Sequence, residues 1–132
     1  MSVWGPGVFE NDDALDWVYD LVVGDGMSQV AYALDTIIKN KDYSIETYDC
    51  RVALVAAEII AVMNGNASPD MPEELEEWIG DAVIENENLR VKAEEAVIII
   101  LKDSEQSKML KKIMDYTKWK ETLRDLLRRL EL

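Results

Sequence analysis

Histidine is absent from the 132-residue chain. This removes the commonest general base, the commonest metal ligand, and every nucleophile in which histidine activates a serine or cysteine. The sequence also lacks the glycine-rich phosphate-binding motifs and the paired-cysteine motif of redox and zinc sites. We therefore predict a protein that is not an enzyme and that uses no cofactor.

Cysteine and long apolar runs are also scarce. Cys50 is the single cysteine, so no internal disulfide can form, and this suits a reducing compartment. It lies beside an apolar helix with no partner base, and we interpret its thiol as buried and structural. No uninterrupted apolar run is longer than Ala96 to Leu101, far short of the ~20 residues that a membrane span needs. Because the first residues also lack the features of a signal peptide, we expect a soluble, cytoplasmic protein without membrane contacts.

Basic residues are outnumbered by acidic residues, 14 to 27, and the net charge is −13. Such a surface repels nucleic-acid phosphates and favours encounter with basic partners. The charge is uneven, because residues 1–100 carry −16 and residues 101–132 carry +3. The basic C-terminal segment has three interpretations: a solvated helix face that pairs locally with acids, a surface that docks on the acidic body of another copy, or a nucleic-acid patch. The overall negative field argues against the third.

Apolar residues recur at helical spacing along most of the chain, which predicts an all-α fold. We expect one compact domain over residues 1–132, with five to seven helices around one core. The third helix, from about Glu46 to Asn64, is apolar on nearly every side and is typical of a central, buried helix. The β-branched run Val97 to Ile100 is compatible with a strand, but the helical pattern continues on both sides of it.

Turn and cap residues indicate where the other helices begin and end. The first helix follows Asn11-Asp12-Asp13 and ends at Gly24 and Gly26. Ser28 is the predicted cap of the second helix, and Pro72 opens a short acidic fourth helix. The turn Glu85 to Asn88 precedes the fifth helix. Ser104 is the predicted cap of a final amphipathic segment with an apolar stripe, interrupted near Asp115 to Thr117; the stripe is Met109, Leu110, Ile113, Trp119, Leu123, Leu126, Leu127 and Leu130.

Acidic side chains form two clusters that are candidates for partner binding. Three of them recur at steps of four on the first helix and should share one face; they are Asp12, Asp16 and Asp20. Four occupy the first turn of the fourth helix; they are Glu73, Glu74, Glu76 and Glu77. Both clusters have a structural interpretation as a solvated face or as anions favoured by the helix dipole. A third possibility, a divalent cation on the first helix, lacks calcium-loop spacing, so we predict no metal site.

Glu58 is the only charged residue between Val52 and Met63. Burying its charge would cost several kcal/mol unless the carboxylate is paired or protonated. We expect a structural solution, either a salt bridge to Arg51, Arg90 or Lys92, or a hydrogen bond from a tryptophan N–H. The alternative is a functional acid in a cleft.

The first residues form a motif around Gly5-Pro6-Gly7, which predicts an ordered turn between the anchors Trp4 and Phe9. Asn11 and Asp12 then cap the first helix, and Phe9 is placed to pack against it. The four tryptophans, Trp4, Trp17, Trp78 and Trp119, lie on apolar stripes or beside this turn, and we interpret them as core anchors rather than ligand-stacking residues.

The run Trp4-Gly5-Pro6-Gly7-Val8-Phe9-Glu10-Asn11-Asp12-Asp13-Ala14, followed by Asp16-Trp17, resembles the start of a bacterial family known as domain of unknown function 4259. That family opens with the pattern W-G-x-G-x-F-(D/E)-N-D-x-A-x-D-(W/F), in which aspartate is commoner at the position of Glu10. Ala56-Ala57-Glu58 and Trp119 are similar to its weaker features, so the likeness extends over the chain. The family has no established activity, and the resemblance therefore implies none.

These features together favour a non-enzymatic acidic protein that binds a basic partner protein. An inhibitor or immunity-type protein that neutralises a cationic toxin would have this small, acidic profile. The main alternative is a self-associating structural or regulatory subunit, a homodimer for example, that uses the basic C-terminal helix. A carboxylate–metal enzyme built on Asp12, Asp16 or Glu58 is the third hypothesis.

Overall fold

The computed structural model describes residues 7–24, 26–43, 45–80, 87–106 and 116–131. Within these ranges the chain is an all-α bundle, as the apolar periodicity predicts. The run Val97 to Ile100 is helical, so the strand alternative is wrong. The six helices of the described ranges are α1 (Asp12–Val23), α2 (Met27–Lys39), α3 (Thr47–Met63), α4 (Glu73–Ile79), α5 (Glu87–Gln106) and α6 (Tyr116–Leu130).

The turn before α1 is fixed by hydrogen bonds between near neighbours. The backbone N–H of Glu10 donates to the Gly7 carbonyl at 3.1 Å, and the Gly7 N–H donates to Glu10 Oε1 at 3.0 Å. Asn11 caps α1, because its Oδ1 accepts from the Ala14 N–H at 2.8 Å. Phe9 is buried as predicted, whereas Trp4, Gly5 and Pro6 lie outside the described residues.

Helix α3 is the centre of the bundle. Every residue from Val52 to Ala61 is buried, which explains why this stretch is apolar on all sides. It packs against α1, α2, α5 and α6, and α2 and α5 also pack against each other. The predicted central position of the third helix is therefore confirmed.

Helix α6 packs one apolar stripe onto this core. Trp119, Leu123, Leu126 and Leu130 recur at steps of three and four and are all buried. The stripe predicted from the sequence is confirmed for these residues, while its earlier members, Met109, Leu110 and Ile113, lie outside the described residues. No helix in the described ranges is long and apolar enough to cross a membrane.

The predicted cap of α2 is wrong. Ser28 lies in the first turn, and Gly26 is the N-cap residue, with a positive φ of 78°. A Cβ atom at Gly26 would lie 2.4 Å from the ring of Trp78, so both the backbone and the neighbouring side chain require glycine. The contact comes from α4, which is distant in sequence, so local capping rules could not detect it.

The predicted helix boundary at Ser104 is also wrong, because α5 continues through this residue to Gln106. A serine can continue a helix whose preceding turns are already packed, and Ala96, Val97 and Ile100 of α5 are buried. At the other end, Glu87 and Asn88 are the first residues of α5, and Glu85 and Asn86 of the predicted turn lie outside the described residues.

Candidate functional site

The acidic side chains of α4 all face solvent. Glu73, Glu74, Glu76 and Glu77 are exposed, and none forms an ion pair with any other residue that the structure describes. The opposite side of the helix is apolar, and its buried residues Leu75 and Ile79 hold α4 on the bundle. The cluster is therefore a charged outer face on an anchored helix.

The acidic residues of α1 divide into two groups. Asp16 and Asp20 are exposed and Asp12 is half-buried, which places all three away from the buried side of the helix. Asp13 instead is buried and accepts from Arg51 Nη1 at 2.8 Å. Because α4 packs against α1, the two acidic helices predicted from the sequence are neighbours in the fold.

A cleft of about 520 Å³ lies between α1, α2 and α3. Aromatic rings from all three helices line it, namely those of Trp17, Tyr32 and Tyr48, together with the carboxylates of Asp20 and Asp49. Trp17 packs against the core as predicted, but it is only half-buried and also forms part of the cleft wall. The remaining lining residues are Ser28, Gln29, Ala33, Thr36 and Val52.

The electrostatic field in this cleft is negative. Partial burial raises the pKa of the Tyr48 phenol, and the carboxylates of Asp13, Asp20, Asp49 and Asp16 raise it further because they oppose a second negative charge. The phenol therefore stays protonated near neutral pH and offers a neutral ring and an O–H group.

The thiol of Cys50 lies near the same end of α3. Burial raises its pKa from 9.0 to about 12, and the carboxylates of Asp103 and Asp49 add to the increase. A thiol with such a pKa remains protonated and is a poor nucleophile. Cys50 is half-buried rather than fully buried, and it packs against the core.

The buried carboxylate of Glu58 is paired with Arg129 of α6. Arg129 Nη1 donates to Glu58 Oε2 and Nη2 donates to Oε1, both at 2.8 Å, which is the bidentate geometry that suits arginine and a carboxylate. The predicted salt bridge is thus present, but all three predicted partners are wrong. These three residues form ion pairs with other acids: Arg51 pairs with Asp13, Arg90 with Glu87 and Glu94, and Lys92 with Asp35.

A second cleft, of about 500 Å³, lies beside the Glu58–Arg129 pair. The turn Gly7–Glu10 forms one wall and α6 forms another. Because both oxygens of Glu58 accept from Arg129, the carboxylate is held as a structural partner rather than as a free acid. The pair therefore holds α6 against α3 beside this cleft.

Several cations of α6 pair locally. Arg128 Nη2 and Arg129 Nε donate to the Asp125 carboxylate at 3.3 and 2.8 Å, and Lys120 Nζ lies 4.8 Å from the ring centre of Tyr116. These contacts agree with the interpretation of a solvated face that pairs with nearby acids. Lys108, Lys111 and Lys112 lie outside the described residues.

No three or more histidine, cysteine or acidic residues come together as a possible metal site in the described part of the chain.

Sequence reasoning missed the cleft. Its members are separated along the chain and come from three helices, so periodicity within one helix cannot bring them together. A compositional signal was present nonetheless: four of the five tyrosines fall between residues 19 and 48, and all four are exposed. Tyrosine is one of the residues that are enriched at protein-binding surfaces.

Comparison with other proteins identifies a family but not an activity. No curated protein and no solved structure matches the chain. Residues 2–122, however, match the family described as domain of unknown function (DUF4259). The match covers most of the chain and includes α1 to α5, and the chain belongs to the DUF4259 family.

Proposed function

We propose that this protein is a non-enzymatic binding protein that recognises a basic partner protein through the exposed carboxylates of α1 and α4. An inhibitor or immunity-type role in the cytoplasm, in which the acidic surface covers a cationic toxin, is the form of this function that we favour. The proposal does not require a cofactor, a metal, a membrane or a nucleic acid.

One observation carries the proposal: most of the described arginines are paired within the protein, whereas the carboxylates of α4 are not. Four of the five described arginines form ion pairs, which are Arg51, Arg90, Arg128 and Arg129. The four glutamates of α4 have no such partner among the described residues. Carboxylates left in water cost nothing in desolvation, and they accelerate association with a positively charged protein.

Identification of the partner is the first experiment. The tagged protein is incubated with a lysate of the cells that produce it, washed at low salt, and eluted with a rising salt gradient, and the eluate is analysed by mass spectrometry. We expect one basic protein to elute in stoichiometric amount at a defined salt concentration, because opposite charges hold the complex. Recovery of the bait alone at low salt would contradict the proposal.

The role of α4 is tested by measuring association rates with the captured partner. Changing its four glutamates to glutamine should slow association by about tenfold at low salt, and much less at high salt. The matched control changes net charge equally at positions outside α1 and α4: Asp42→Asn, Glu95→Gln, Glu121→Gln and Glu131→Gln. An equal slowing in both variants would show that net charge, and not the α4 surface, governs recognition.

Self-association is the second candidate function, and the surface of α6 favours it. Lys118, Arg124 and Arg128 are exposed on this helix and are complementary in charge to α1 and α4 of another copy. Light scattering coupled to size-exclusion chromatography separates the two functions. A dimer that dissociates at high salt supports self-association, and a monomer over the accessible concentration range rules it out.

A further inference from the structure

The cleft between α1, α2 and α3 combines two chemical features that favour a cationic ligand. The first is a set of aromatic walls supplied by Trp17, Tyr32 and Tyr48. Tyr32 and Tyr48 are 72% and 50% exposed, so their rings border the opening rather than fill the core. Aromatic faces attract cations through their ring quadrupoles, and guanidinium groups also stack on them.

The second feature is negative charge at the same place. Asp20 and Asp49 line the cleft, and neither forms an ion pair with any residue in the described ranges. The field of these and neighbouring carboxylates reaches Tyr48. A cation that entered would therefore meet carboxylates and ring faces together, in surroundings less polar than bulk water, where both attractions are strengthened.

An unused hydrogen-bond acceptor lies in the wall of the cleft. The Oε1 atom of Gln29 is buried, and none of the described residues donates a hydrogen bond to it. An unsatisfied buried acceptor is destabilising, so a donor brought by a ligand would relieve this cost after a rotation of the amide. Arginine and lysine side chains supply N–H donors only.

From these observations we infer that the cleft is an anchor site for the cationic side chain, arginine or lysine, of a partner protein. This inference rests on the proposed function for the nature of the partner. The cleft would fix the position of a partner that the acidic surfaces of α1 and α4 attract. A few buried residues, arginine among the most frequent, carry most of the binding energy in protein interfaces and are surrounded by weaker contacts.

A peptide titration tests the cleft without the partner. The probe is an acetylated and amidated pentapeptide with one arginine between glycines. Its binding is observed by NMR of the isotope-labelled full chain. The neutral control peptide carries citrulline, which has nearly the same shape as arginine. We expect saturable shift changes at the indole N–H of Trp17 and the side-chain amide of Gln29 with the arginine peptide, and binding at least about tenfold weaker with citrulline. Equal shifts over α4 and the cleft would overturn the inference, because they would indicate general attraction to acids.

Substitutions in the cleft have close controls elsewhere on the surface. Tyr32→Ala should weaken binding of the arginine peptide by about threefold or more, because one ring face is lost. Tyr43→Ala is the control, since Tyr43 is 72% exposed like Tyr32 but does not line the cleft. In the same way Asp49→Asn should weaken binding, whereas Asp42→Asn should leave it unchanged. Equal effects of the cleft and control variants would contradict the inference.

The same variants, assayed with the captured partner, separate this inference from the proposed function. If Tyr32→Ala and Asp49→Asn increase the rate of dissociation and their controls do not, both proposals are supported. If the cleft variants behave like their controls while the α4 variant loses the partner, the anchor site is wrong and the proposed function stands. If no basic protein is captured but the arginine peptide binds in the cleft, the proposed function fails and cation binding by the cleft stands.

Discussion

Carboxylates occupy two contrasting settings in this protein. The side chain of Glu58 is only 2% exposed, and both of its oxygens accept hydrogen bonds from Arg129. The four glutamates of α4 are exposed and have no ion-pair partner in the described part of the chain. Both settings lie on helices that pack against each other, since α4 also contacts α3.

The contrast shows what the surroundings do to one chemical group. A buried carboxylate must be paired because its desolvation is costly, and its partner then becomes part of the fold. An exposed carboxylate keeps its hydration and leaves its charge available for another molecule. We therefore assign cohesion to the first setting and partner recognition, as a proposal, to the second. Three predictions follow, from the largest expected effect to the smallest, and the first and third test this division directly.

Removing Arg129 should have the largest effect on stability. Arg129→Ala leaves the buried carboxylate of Glu58 without its partner, and we expect the free energy of unfolding to fall by about 3–5 kcal/mol. Denaturation by urea, followed by circular dichroism, measures the change.

The neighbouring Arg128→Ala is the matched control for that experiment. Its ion pair with Asp125 is exposed, so its removal should change stability by less than about 1 kcal/mol. Replacing both members of the buried pair by methionine should recover much of the stability that Arg129→Ala loses, because no unpaired charge remains. Similar losses for Arg128→Ala and Arg129→Ala would contradict the division between buried and exposed carboxylates.

The raised pKa of Cys50 gives the next largest effect and depends on pH. Because the thiol pKa is 9.0 in the unfolded chain and about 12 in the folded protein, its contribution to stability is complete below pH 9.0 and is lost as the pH rises through 12. Between about pH 8 and about pH 10 the expected loss is about 1.4 kcal/mol.

Cys50→Ala isolates this contribution from other groups that titrate in the same range. Between these two pH values the free energy of unfolding should fall less in the variant than in the native protein, and the difference between the two decreases should be about 1.4 kcal/mol. Urea denaturation at each pH provides the comparison. Identical pH dependence in the two proteins would show that the thiol of Cys50 is not shielded by burial and by its acidic neighbours.

The smallest effect is expected on the exposed side. Changing the four glutamates of α4 to glutamine should alter the free energy of unfolding by less than about 1 kcal/mol, because lost interactions with the helix dipole are offset by relief of repulsion between adjacent charges. The same variant should be strongly impaired in partner association, as proposed above. A loss above about 2 kcal/mol would mean that these carboxylates support the fold.

Local features of the sequence were sufficient to predict most of the secondary structure. Helical spacing of apolar residues predicted the elements, and the burial of Val52 to Ala61 follows from the absence of a polar face on α3. Asn11 was predicted as a cap because its side chain needs only the backbone of the next turn, and the bond to Ala14 confirms it. Each of these features depends on residues within a few positions of one another.

The errors arose where distant segments meet. Ser28 is not a cap because α2 begins one residue earlier, after Gly26, and Trp78 of α4 packs on that glycine. The partner of Glu58 is 71 residues away in sequence, and three nearer cations were predicted instead. Charge and hydropathy indicate that a buried carboxylate needs a cationic partner. They do not indicate which residue is that partner, because this depends on how α6 packs against α3.

The sequence by itself determined the all-α fold, the central helix, the lack of histidine chemistry and the strongly acidic surface, because these depend on composition and on short-range periodicity. Only the tertiary structure decided that Arg129 neutralises Glu58 and that Trp17, Tyr32 and Tyr48 border one acidic cleft. Pairing and cleft formation depend on how helices pack side by side, and that arrangement results from the whole core rather than from any one segment.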